Sequence, residues 1–136
     1  MSSLVGDLWP ADLVKPLAAT PLSIMKEQAA RLAGKTGDLV QADVTPKVSG
    51  SAVFLNFDLV MPLLENYRYN LITVIHSVDG FFPLTLKVLN KDVKVEDQAA
   101  FVEHIRDALS SDRVKNVIRT FVDMQSQEPR PHEIAG

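Results

Sequence analysis

Cysteine is absent from the chain, and with it go disulfides, thiolate nucleophiles and cysteine-based zinc sites. No apolar run approaches the ~20 residues that cross a bilayer as a helix. Residues 1–10 contain Asp7 and neither lysine nor arginine, unlike the basic start of a secretory signal. Basic residues are scattered and the formal net charge is −3, which argues against nucleic acid as the main ligand. Catalytic signatures are missing too. No serine lies in a G-x-S-x-G elbow, and His76, His104 and His132 are too far apart to place two ligands on one element. These absences predict a cytoplasmic protein with no metal or other cofactor and no membrane partner.

What is present is apolar patterning. With 136 residues, 46% of them hydrophobic, the chain is long enough to bury a core in one domain without covalent staples. Two dipeptide turns and one odd-length loop set strand registers. Asp79-Gly80 is a good type I′ signal; it separates Tyr67–Val78 from Phe81–Asn90 and pairs Ile75 with Leu84, Thr73 with Leu86, and Leu71 with Val88. Ser49-Gly50 pairs Val44 with Leu55, Ala42 with Phe57, and Val40 with Leu59. A loop over 62–66, centred on Leu64, pairs Leu59 with Tyr69, Phe57 with Leu71, Leu55 with Thr73, and Val53 with Ile75. Because a one-residue slip would move a strand's whole set to the other face, agreement between registers is informative. Together they gather Val40, Ala42, Val44, Val53, Leu55, Phe57, Leu59, Tyr69, Leu71, Ile75, Leu84, Leu86 and Val88 on one face. The pattern predicts a four-stranded antiparallel meander.

The opposite face mixes two characters. Its polar half holds Gln41, Asp58 and Asn70 in a cross-strand row, with Arg68 diagonal to Asp58. Its apolar half holds Phe54, Ile72, Val74, Phe81 and Pro83. A solvated sheet face does not ordinarily carry Phe, Ile and Val side by side, and contiguous apolar patches mark interfaces or binding grooves. Phe54, Ile72, Val74 and Phe81 are therefore the candidate binding surface, with Asp58, Arg68 and Asn70 as its polar rim. His76 falls on the same face, either as a half-buried strand residue or as a ligand contact; no carboxylate is placed to orient it. Asp43 and Asp58 share the face one pair out of step, which suits solvated polar residues better than an acid–base pair. In Tyr67-Arg68-Tyr69 the alternation sends both tyrosines to the apolar face and Arg68 to the other.

Amphipathic helices flank the strands. Thr20-Pro21 is a good start, followed by Leu22, Met25, Ala29 and Leu32 at helical spacing and Gly34 near the end. Gly34-Lys35-Thr36 ends like a phosphate-binding loop, but Ala29 stands where the first glycine belongs, so no cradle is expected. A second helix is predicted over Val95–Leu109 and a third from Ser110-Ser111-Asp112 to about Ser126. The expected architecture is α+β, order α-β-β-β-β-α-α. Residues 20–124 form the domain, 1–19 an arm with a candidate short helix over Ala11–Ala18, and 125–136 a disordered polar tail. Two helices would cover four strands, leaving a third to spare.

The expected function is binding without catalysis: an adaptor, chaperone-like or immunity-type module, working as a homodimer or on another protein partner. Size, acidity and a single α+β domain are also features of small dimeric bacterial chaperones and adaptors, a likeness of class with no shared motif. The alternative is a small-molecule binder or small enzyme with a pocket between the second sheet face and a helix.

Overall fold

The computed structural model describes residues 6–14 and 19–127. Its order is α1 (Pro21–Lys35), β1 (Gln41–Ser49), β2 (Ala52–Met61), β3 (Tyr67–Ser77), β4 (Gly80–Val88), β5 (Lys91–Val95), α2 (Gln98–Leu109) and α3 (Asp112–Ser126). The strands form one antiparallel sheet in the order β1-β2-β3-β4-β5, a five-stranded meander rather than the four-stranded one expected. The extra strand is short and rich in charge, Lys91-Asp92-Val93-Lys94-Val95, and it turns back through Leu89, which takes a φ of 54°.

Each helix begins where local chemistry supplies a cap. Thr20 accepts from the Ser23 N–H while Ser23 Oγ accepts from the Thr20 N–H, a reciprocal capping box with Pro21 at the first position. Asp97 caps α2 through the Ala100 N–H, and Ser111 caps α3 through the Val114 N–H. Such caps satisfy donors that the first helical turn leaves unpaired. Gly34 lies inside α1 and does not end it. The chain leaves the helix through Gly37 and Asp38, both with positive φ.

All three helices lie on one side of the sheet. Met25 and Ala29 of α1, Phe101 and Ile105 of α2, and Val114 of α3 join Leu55, Phe57, Leu59, Met61, Leu84 and Leu86 in a single buried cluster. No helix is therefore spare: the fifth strand widens the sheet and the third helix is used on the same face. The buried Gln125 ties this layer together. Its Oε1 accepts from the Leu63 N–H at 3.0 Å, and its Nε2 donates to the carbonyls of Leu39 at 2.6 Å and Phe121 at 3.1 Å. The expected tail boundary at position 125 thus falls on an anchor inside α3. Residues 128–136 lie outside the described residues, as do 15–18 of the candidate short helix; Ala11 and Asp12 of that segment form a turn.

Register explains where the expected faces hold and where they change. β1 pairs with β2 through Val44↔Phe57 and Ala42↔Leu59, around a turn at Gly50-Ser51. This is a slip of two residues from the expected pairing, so the faces are preserved. Only Gly50 of the two turn residues has a positive φ, the pattern of a type II′ turn. Between β2 and β3 the pairing starts as expected with Leu59↔Tyr69, then shifts between Phe57 and Asp58, giving Asp58↔Asn70 and Phe57↔Ile72. Leu71 is the extra residue of a β-bulge.

That one residue reverses the rest of β3. Leu71 and Ile72 are both buried, and Val74 is fully buried opposite Leu55. Ile72 and Val74, expected on the second face, are core residues. His76 moves with them and lies opposite Val53 on the helix-bearing side. Ile75, expected in the core, pairs with Phe54 on the open side. The turn into β4 also differs: Ser77 pairs with Gly80, and neither Asp79 nor Gly80 takes a positive φ. The Ser77 Oγ instead accepts from the Asp79 N–H at 3.0 Å.

Two outcomes check this arrangement. Ile72→Ala should cost about 2–5 kcal/mol in urea unfolding, the range for emptying a core isoleucine site, while Ile75→Ala costs clearly less; equal costs would contradict the bulge. Gln125→Leu, which orphans the Leu39 carbonyl and the Leu63 N–H, should lose roughly 1–3 kcal/mol, read as a lower urea midpoint at unchanged slope.

Candidate functional site

Among the described residues no helix covers the other side of the sheet, and the residues on this open side follow from the registers. Lys47, Phe54, Ile75, Thr85 and Lys94 form one cross-strand row; Thr45, Asn56, Thr73, Lys87 and Asp92 form the next. Asp43, Asp58 and Asn70 make a third. Phe54 and Ile75 are half-buried by their neighbours, yet neither belongs to the core or to the side chains packed on it.

Polar side chains around the bulge form a connected network. Arg68 Nη1 donates to Asp43 Oδ2 at 3.0 Å and Nη2 to Asp58 Oδ2 at 3.4 Å. Asn70 Nδ2 donates to Asp58 Oδ1 at 2.9 Å and lies 3.4 Å from the Ile72 carbonyl oxygen. Thr73 Oγ1 stands 2.9 Å from Asn56 Oδ1 and 3.2 Å from Asn70 Oδ1. Two carboxylates directly opposite on neighbouring strands repel, and the guanidinium between them offsets that repulsion. The hydrogen bond to Asp43, with the nearby charge of both carboxylates, holds Arg68 above its ordinary value, while slight desolvation opposes it. Being raised, its cationic form contributes through the whole neutral range and is lost only as pH climbs past that value.

Of the expected surface, the structure brings Phe54, Asp58, Arg68 and Asn70 together on the open side. It separates Ile72 and Val74, which are core. His76 and Phe81 meet edge to face at the hairpin end, with ring centroids 5.3 Å apart, and His76 Nδ1 is 2.8 Å from the Ser77 carbonyl oxygen. His76 is thus remote from the carboxylates. Tyr67 and Tyr69 both contact Phe121 of α3, at 6.0 and 5.7 Å between centroids, so they close the core rim as their alternation predicts. Thr73 and Ile75 are site residues that regular alternation missed, while Asn56 lies on this face as the alternation of β2 places it. The readable signal was the adjacent apolar pair Leu71-Ile72, where the polar series Arg68, Asn70 changes step to Thr73.

Chemically, this surface offers apolar contact and paired polar groups for recognition. Among the described residues no group of three or more His, Asp or Glu side chains is placed to hold a metal ion, and no helix is long and apolar enough to cross a membrane. Phe54 and Ile75 offer apolar contact, flanked by fixed donors and acceptors. The chain matches no protein-family model, no curated protein and no solved structure.

The network predicts a measurable coupling. A double-mutant cycle of Arg68→Ala with Asp58→Asn should give an interaction of about 0.2–1 kcal/mol, as for exposed ion pairs screened by water. The deficit of Arg68→Ala should shrink with added salt, which screens repulsion between the two carboxylates; a deficit independent of salt would show that repulsion is not its cause.

Proposed function

We infer that this protein is a cytoplasmic, non-catalytic binding module, of adaptor, chaperone-like or immunity type, which engages a protein partner on its open sheet face and works as a homodimer. One observation carries the reading: a face without a helix among the described residues, on which half-buried Phe54 and Ile75 adjoin the pre-ordered network of Arg68, Asp43, Asp58 and Asn70. An apolar centre beside satisfied polar groups is the composition of a protein interface. Holding the polar groups in place beforehand lowers the ordering cost of association.

The edges of the sheet favour the face over strand addition. β1 is an edge strand carrying Pro46 and Lys47, and β5 is only 5 residues long with Lys91 and Lys94. Proline, lysine and shortness are the devices that blunt a sheet edge against a further strand. The rival pocket between the second sheet face and a helix has no helix to form it among the described residues.

Immobilised wild-type protein should retain a partner from a cell extract that is lost with Phe54→Asp/Ile75→Asp and kept with Lys26→Glu on the outward side of α1. All three proteins should give the same circular dichroism spectrum. Identical retention by the wild type and the open-face variant would sink the reading. A ligand-dependent rise in melting temperature that the open-face variant preserves would favour the small-molecule alternative.

A further inference from the structure

The segment before α1 leaves four large apolar side chains in solvent: Leu8 is 81% exposed, Trp9 75%, Leu13 64% and Val14 92%. None of them joins the core or packs on it. This much apolar surface within nine residues marks an interaction site. The segment also has local order, since the Trp9 N–H donates to Asp7 Oδ1 at 3.0 Å. It carries Asp7 and Asp12, with Lys15 following directly after it in sequence.

The helix-bearing side of the domain holds a complementary hollow. A cavity of about 340 Å³ opens between α1 and the corner joining α2 to α3. Phe57 contributes to its floor, Leu32, Leu109 and Ile118 to its walls, and Arg31 and Lys35 stand at its mouth. Its volume is more than twice the ~150 Å³ that admits a benzene ring, which leaves room for an indole and an aliphatic side chain beside it. Arg31 shares its charge with Glu27 at 2.9 Å, so Lys35 is the stronger attraction for an acidic segment.

We propose that the groove of one copy receives the arm of a second copy, with Trp9 in the cavity and Asp7 and Asp12 toward Arg31 and Lys35, so that two chains exchange arms. Size, apolar character and charge match on both sides, and in the single chain the arm stands clear of the groove with its side chains exposed. Reciprocal exchange closes with two-fold symmetry and leaves no unfilled groove and no unused arm, whereas a one-way contact would propagate. The inference rests on the homodimer reading and is independent of the open-face partner.

Trp9 is the only tryptophan, so its emission reports docking directly. Emission and light-scattering mass of the full chain, followed together over a wide concentration range, should show a blue shift as the mass doubles. Arg31→Glu/Lys35→Glu, at exposed positions, should weaken association about tenfold or more and move both transitions to higher concentration. Leu13→Asp, outside the core, should do the same. A doubling of mass while Trp9 keeps a solvent-like emission would leave the homodimer standing on another surface and overturn the arm exchange. Blue emission that is independent of concentration would place the arm on its own chain and overturn it as well. A monomer at every concentration would remove both the exchange and the homodimer.

Discussion

The sheet serves a core on one side and a polar network on the other because β3 changes step at Leu71. A regular strand would carry Leu71, Thr73 and Ile75 to the helices and turn Ile72 and Val74 outward. The extra residue lets the first half of β3 send Tyr67 and Tyr69 inward and the second half send Ile72 and Val74 the same way. Bulges re-aim side chains in this manner. Here the network is built on the irregularity itself: Asn70, bonded to Asp58, also reaches the Ile72 carbonyl oxygen where the ladder is broken. The polar site and the core therefore share one backbone feature, and neither can be altered there without the other.

The helical layer is held by a different kind of contact. Apolar stripes bring α1, α2 and α3 onto the sheet, but hydrophobic burial is not directional. Gln125 supplies direction. Both ends of its amide are paired, with three backbone partners on separate segments, and low local dielectric makes each of these bonds costly to lose. It locks the last turn of α3 between the approach to β1 and the exit from β2. That placement brings Phe121 over the tyrosines and sets the far wall of the groove beside α1.

Much of the fold was legible in residue order, and the exceptions have physical causes. Thr20-Pro21 and Ser110-Ser111-Asp112 mark helix starts because capping is local chemistry, whereas α2 starts three residues later than expected, with Val95 ending β5 and Asp97 capping the helix. The faces of β1 and β2 survived an error in turn placement, since a two-residue slip keeps alternation intact; β4 kept its face because a one-residue slip against β3 accompanies the bulge that reverses β3. The bulge was not legible from turn arithmetic, which counts residues and assumes an unbroken ladder. β5 was hidden because its Lys91, Asp92 and Lys94 look like loop while only Val93 and Val95 face inward. Within the site, Phe54, Asp58, Arg68 and Asn70 were placed correctly, lying on or before the bulge. Ile72, Val74 and His76, all beyond it, were assigned to the wrong side.

The order of the sheet also bears on how the molecule is assembled. Every strand bonds to its neighbour in sequence, so sheet formation needs only short loops to close. Folding rates fall as contacts become more distant along the chain, and a meander keeps them near. The bond from Gln125 to Leu39 joins positions 86 apart and carries a larger closure entropy, which grows only logarithmically with separation. The topology thus combines a sheet closed by short loops with a long-range fastening of the C-terminal helix, and the groove beside α1 needs both.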